Sequence, residues 1–193
     1  MEAIQGKEIV SAEAYIDCSV HGLSPLLQHR FGGQDVEIAV KAPHAKQVAA
    51  TDYSKEYLDY LYLDEKGRNC IPSTHFEATM TKAANTFTIP GHKGKRYAER
   101  AKAFLIVEPL MIPIEPQEFH VDTRPVVIQR SRVLRMRPCF NEWAADFHIR
   151  ILDSQALPPE DVNQFLQYAG RFIGIGDFRP KFGRFEVTRF ENK

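Results

Sequence analysis

From Ala12 to Val20 the chain alternates, placing Ala14, Ile16, Cys18 and Val20 on one side. That two-residue period predicts a strand with one buried face. Gly22 and the Ser24-Pro25 pair mark a turn, after which Leu26 and Leu27 return to the core. Residues 31–72 read as an irregular insertion with one helix, because Tyr53, Tyr57, Tyr60 and Leu61 recur at helical spacing. Leu61-Tyr62-Leu63 and the polar 64–68 segment predict a short strand and its turn. Thr74 and Glu77 have capping-box spacing, opening a helix that runs to about Asn85 with Phe76, Met80, Ala83, Ala84 and Phe87 as its apolar stripe. Ala103 to Val107 predicts a strand, and Leu110 to Ile114 a second, held at an edge by Pro109, Pro113 and Pro116.

Residues 119–152 read as successive strands, the last with Ala145, Phe147, Ile149 and Ile151 inward and Trp143 as a packing anchor. Pro158-Pro159-Glu160-Asp161 suits the start of a final helix whose stripe is Val162, Phe165, Leu166, Ala169 and Phe172. Gly174 ends that helix, and Phe185 to Phe190 alternates as a closing strand. The order predicts an α+β chain: a ferredoxin-like, RRM-type β-α-β-β-α-β core with an insertion after the first strand and an added hairpin. An antiparallel sheet with helices on one face leaves the other free, a surface on which such sheets commonly bind single-stranded nucleic acid.

The 193 residues fit a single domain, 1–193, carrying the insertion at about 31–72, a basic loop at about 89–96 and a glycine-rich loop at 174–183. The net charge is zero but unevenly placed. Residues 1–77 hold 7 lysines and arginines against 12 acids, a balance of −5, and residues 78–193 hold 18 against 13, a balance of +5. The second part could present a basic face and the first an acidic one. Cys18, Cys70 and Cys139 are widely spaced, which suggests neither a zinc site nor a disulfide framework. No metal or cofactor is implied. No signal peptide and no apolar run of about 20 residues is visible, so the expectation is a soluble protein of the bacterial cytoplasm, with no membrane partner.

The candidate chemistry is basic. Between the last helix and last strand, Gly174 and Gly176 permit close backbone approach, while Phe178, Arg179, Lys181 and Arg184 supply flat faces and charge suited to a polyanion with stackable bases. His92, Lys93, Lys95 and Arg96 make the 89–96 loop a possible lid over backbone phosphates, although it lacks P-loop spacing. Arg130, Arg132, Arg135 and Arg137 form a strand run in which the first two share one face and the last two share a face, the opposite one unless a bulge intervenes at Val133-Leu134, apt for phosphate. His21 and His29 flank the first turn; His21 is a weak candidate for a general base, without a visible partner.

Gly174-Ile175-Gly176 and Gly183-Arg184-Phe185, with the opening Gly22-Leu23-Ser24-Pro25-Leu26-Leu27 turn, resemble the RAMP superfamily, the repeat-associated proteins of CRISPR systems. The arrangement looks most like the subunits that polymerise along guide RNA, and is similar to bacteriophage proteins with a Gly-x-Gly-Asp-aromatic-Arg-Pro loop. The resemblance implies a non-catalytic subunit that coats single-stranded RNA or DNA, in a filament of its own copies or with related subunits. Other RAMP proteins are metal-independent endoribonucleases, which makes His21 or His29 with Lys93 or Lys95 the alternative. A phage accessory protein that binds another protein is the third reading. The chain departs from the family pattern in being short for a full backbone subunit.

Overall fold

In the computed structural model the described residues are 12–31, 56–128 and 131–193, with backbone alone described at 56, 126–128 and 131–133. Strand β1 (Ala14–Gly22) lies at the centre of the larger sheet. Its alternation does what the sequence predicts: Ala14, Ile16, Cys18 and Val20 are buried, and the residues between them face outward. It pairs antiparallel with β8 (Ala144–Ile151) on one side and β9 (Phe185–Asn192) on the other. A fourth strand, β4 (Leu105–Glu108), pairs antiparallel with the outer side of β8, giving the order β4-β8-β1-β9. Cys18 stands opposite Phe147 on one neighbour and Phe190 on the other, so each strand contributes to the same apolar layer.

Two helices cover that layer. Helix α2 (Ser73–Ala84) brings Phe76 to 4.4 Å from the Phe147 ring, and both rings are almost wholly buried. Here α1 denotes the short turn of helix at Glu56–Asp59. Helix α4 (Pro159–Tyr168) buries Val162, Phe165 and Leu166, and α3 (Ala98–Phe104) leads directly into β4. Burying each large apolar side chain contributes about 1.5–3 kcal/mol, and Phe76, Phe147 and Phe165 belong to one continuous buried cluster between the sheet and the helices.

The remaining strands form two smaller sheets. The β6 (His120–Ile128) and β7 (Ser131–Phe140) hairpin joins β2 (Leu26–Leu27) in one, order β2-β7-β6. The other pairs β3 (Cys70–Pro72) with β5 (Met111–Pro113). The chain is thus a mixed α+β fold with antiparallel sheets.

Several local expectations change. The Thr74 hydroxyl does not cap α2; the helix follows Pro72, and the Ser73 amide donates to the Leu110 carbonyl at 2.9 Å. Glu77 instead accepts the Val107 amide at 2.9 Å, tying the helix to β4. Ala103 and Phe104 end a helix rather than open a strand, because Ala98–Phe104 is rich in strong helix formers. Leu63 makes only a single bridge, to Asn69, across a turn whose Asp64 carboxylate accepts the Lys66 and Arg68 amides. Phe172 is 57% exposed rather than part of the buried stripe. Residues Ala169–Ile173 form a π-helical turn, whose extra residue rotates everything after Ala169 off the α4 face. Most of the 31–72 insertion, including Tyr53, lies outside the described residues.

The three cysteines are free and buried. Burial pushes the Cys18 thiol up to about 12 and the Cys139 thiol up to about 11, and raises that of Cys70. Among the described residues no helix is long and apolar enough to cross a membrane.

Candidate nucleic-acid interface

The glycine-rich loop closes onto the turn between β1 and β2 through backbone groups. The Asp177 amide donates to the Leu27 carbonyl at 2.9 Å, the Gly183 amide to Pro25 at 2.8 Å, and the Ile175 amide to Gly183 across the loop at 2.9 Å. The Arg184 amide donates to Ser24 Oγ, and the Trp143 indole to the Ser24 carbonyl, so both sides of the turn are held. Thr79 on α2 donates its hydroxyl to the Gly174 carbonyl at 3.0 Å.

The spacing of the loop glycines has a packing reason. Gly176 has φ +73°, and a Cβ there would stand 2.5 Å from the Leu27 carbonyl oxygen and 2.6 Å from Leu26 Cδ1. Gly183 has φ +71°, and its Cβ would overlap the Ile175 carbonyl oxygen. Gly174, at the end of the π-helical turn, faces the Phe182 and Gly183 carbonyls. These close approaches are therefore to the protein's own backbone. Ile175 and Phe182 point inward, Phe182 beside Leu27 and Cys139.

What the loop presents outward is different. Phe178, Arg179, Lys181 and Arg184 are exposed. Among the described residues no acidic group lies within ion-pair distance of Arg179, Lys181 or Arg184. Phe178 is 49% exposed and, alone among the described non-glycine residues, has a positive φ, +57°. A bulky residue there is an outlier held by its surroundings. The charge of Arg179 reaches back to α2: burial first, and then Arg179, lowers the His75 pKa.

The loop is also joined to the hairpin. Arg137 on β7 is buried and meets the Asp177 carboxylate at 2.9 Å, with His29 Nδ1 3.6 Å away. The His29 imidazole, and then the Arg137 guanidinium, hold the Asp177 carboxyl below the usual range. The His29 ring packs tilted against Tyr60 at 4.2 Å, and the Tyr60 hydroxyl accepts from Arg135 at 3.0 Å. Arg124, opposite Arg135 in the hairpin, lies 4.5 Å over the Phe182 ring and pairs with Asp122 at 2.6 Å. The structure thus brings Arg135, Arg137 and residues 174–184 into one region. The side chain of Arg132 lies outside the described residues.

Lys93, Lys95 and Arg96 are elsewhere. They are exposed on a tight hairpin that follows the C-terminal end of α2, with Thr88 bridged to Arg96 and the Ile89 amide donating to Lys95. The Gly174 carbonyl meets the middle of α2 and Arg179 acts on its first turn, so α2 separates the two basic regions. His21 is exposed on the outer face of β1, opposite Ala144 and Glu186. The structure does not gather His21, His29, Lys93 and Lys95 at one site.

Sequence reasoning missed Asp177 and Arg124 as parts of this region. It also missed the charge of the open sheet face, which carries Glu13, Asp17, Glu108, Asp146, Glu186 and Glu191 against Arg150, Arg189 and Lys193. That face is acidic, because its acids come from four separate strands and form no local run. Among the described residues no group of three or more His, Cys, Asp or Glu side chains could hold a metal ion.

Neither a known family profile nor a curated protein sequence matches the chain. Among solved structures, a chain in the cryo-EM structure of the type III-B Cmr-beta bound to cognate target RNA is similar with a TM-score of 0.53 at 11% identity, over 93% of this chain. The match spans 60% of that longer chain. The crystal structure of Cmr6 from Pyrococcus furiosus matches at 10% identity with a TM-score of 0.40, over 91% of this chain and 98% of Cmr6. At this identity the Cmr-beta likeness speaks to architecture only.

Proposed function

We propose that this chain is a nucleic-acid-binding subunit of a multi-subunit assembly, gripping single-stranded RNA or DNA along the outer rim of residues 174–184. The observation that carries the reading is the division within that loop. Its glycines are used for packing against the β1–β2 turn, while three exposed cations without acidic partners and the exposed Phe178 ring face outward. Cations track phosphates and an aromatic face stacks on a base of any sequence, the combination used for single strands. Arg135 extends the same surface along the hairpin, and Arg137 holds Asp177 beneath it.

The core supports the reading. A sheet of order β4-β8-β1-β9, with α2 between β1 and β4 and α4 between β8 and β9 along the chain, supports reading the core as ferredoxin-like, β-α-β-β-α-β, with the β6–β7 hairpin as an addition. The similar Cmr-beta chain was solved with cognate target RNA. Binding here takes place at the loop end of the core, and copies are used repeatedly along the strand. Lys93, Lys95 and Arg96 lie off this path.

The test is a salt titration of binding to labelled RNA and DNA strands about 20 nucleotides long. Replacing Arg179, Lys181 and Arg184 together by Ala should flatten the slope of log K against log salt by about 2, at roughly 0.7 for each phosphate contact on a single strand. An unchanged slope, with the variant folded, would remove the rim from the interface.

A further inference from the structure

We infer that the acidic open face of the β4-β8-β1-β9 sheet docks the cationic hairpin of a second copy of this chain. The inference names the surfaces behind the repeated-copy part of the proposed function and rests on that part; it does not depend on which nucleic acid is bound.

The two surfaces lie on opposite sides of the molecule. The feet of the 88–96 hairpin are set in the helical layer. Phe87 packs on Phe165 and Tyr168 at 5.1 and 5.6 Å, and Tyr97 packs on Phe165 at 5.3 Å. From there to the end of α3 the chain carries Lys93, Lys95, Arg96, Arg100 and Lys102 against Glu99 alone. A cleft of about 380 Å³ opens among Asn85, His92, Lys95, Arg96, Glu99 and Arg100, with three cations against one acid and room for a carboxylate side chain. Helices α2 and α4 cover only one face of the sheet, so the acidic face points away from this hairpin.

On the acidic face some charge is already neutralised. Arg150 pairs with Glu13 at 3.0 Å, and Asp17 is met by Lys193 at 3.0 Å and His148 at 2.7 Å. Glu108, Glu186 and Glu191 are exposed and have no cation within ion-pair distance among the described residues. Six acids against three bases repel a phosphate backbone, so the fitting occupant is a protein surface of opposite sign; with the 174–184 rim given to nucleic acid, the cations of residues 93–102 are the other cluster that offers one. Joining one face to the opposite face of the next copy is a head-to-tail contact, which repeats without closing unless rotation brings it round.

The experiment is sedimentation velocity on the full chain without nucleic acid. The wild type should self-associate at low salt and dissociate as salt rises. Glu186→Lys with Glu191→Lys reverses one face, and Lys93→Glu with Lys95→Glu reverses the other; each variant alone should associate at least tenfold more weakly. Mixed in equal amounts they should associate again, because each reversed face then meets its complement. Unchanged melting temperatures separate these effects from misfolding. A wild type that stays monomeric at every salt concentration, variants that associate like the wild type, or a mixture that stays monomeric would each overturn the inference. So would a hairpin variant that loses only RNA affinity, since the hairpin would then belong to nucleic acid. A monomer that still binds a short oligonucleotide through Arg179, Lys181 and Arg184 would leave the loop reading intact while this one fails.

Discussion

Replacing Gly176 by Val tests what the glycine-rich loop is built for. Two costs can be worked from the geometry. At φ +73° an L-residue is disfavoured by about 1–2 kcal/mol. The new Cβ would stand 2.5 Å from the Leu27 carbonyl oxygen, which already accepts the Asp177 amide. Opening the loop to ordinary contact distance strains that hydrogen bond and overpacks Leu26, together about 1–3 kcal/mol. The sum is about 2–5 kcal/mol, or roughly 10 °C in Tm for a chain of this length. Gly91 supplies the control, because it has nearly the same φ, +74°, with nothing within 4 Å of its Cβ position. Gly91→Val should therefore show only the backbone cost. Urea unfolding of both variants, with strand affinity measured on the same folded samples, gives the packing cost as a difference. If Gly176→Val is no less stable than Gly91→Val, the close approach to Leu27 is not what the glycine serves. If it is equally stable and loses binding, the glycine faces the ligand instead.

Other outcomes follow from the same region. Arg137→Ala should destabilise by about 3 kcal/mol in urea unfolding, the low end for a broken buried pair, because Asp177 keeps 32% of its side chain exposed. Phe178→Ala should leave stability within about 1 kcal/mol while weakening strand binding by about 1–3 kcal/mol, read by fluorescence anisotropy. The depressed Asp177 carboxyl contributes stability that is present above its unfolded value near 4 and lost as pH falls through its lower folded value. Acid titration of melting should thus show a steeper decline below about pH 4 in the wild type than in Asp177→Asn.

Much of the core was legible because its signals are local. The alternation of β1 and β8 and the stripe of α2 place Ile16, Phe147 and Phe76 correctly without reference to anything distant. The loop was legible as a place where glycine was needed, but not what it approaches, since Leu27 lies about 150 residues earlier in the chain. Phe172 was misplaced because a π-helical turn leaves no mark in a 3.6-residue pattern. The burial of Arg137 depends on Asp177, 40 residues away, and a run of arginines along one strand says nothing of it. The acidic sheet face was hidden for the same reason, being assembled from side chains of β1, β4, β8 and β9.

The buried thiols have a practical side. Alkylating and maleimide reagents attack the thiolate, and Cys18, Cys70 and Cys139 are both shielded and shifted away from ionisation at neutral pH. These are all the cysteines in the chain. A single cysteine introduced at an exposed position such as Glu65 or Gln164 would therefore take a dye selectively, with the native three left in place. Pairs of such labels would let energy transfer report the spacing and order of neighbouring copies on a strand, one molecule at a time.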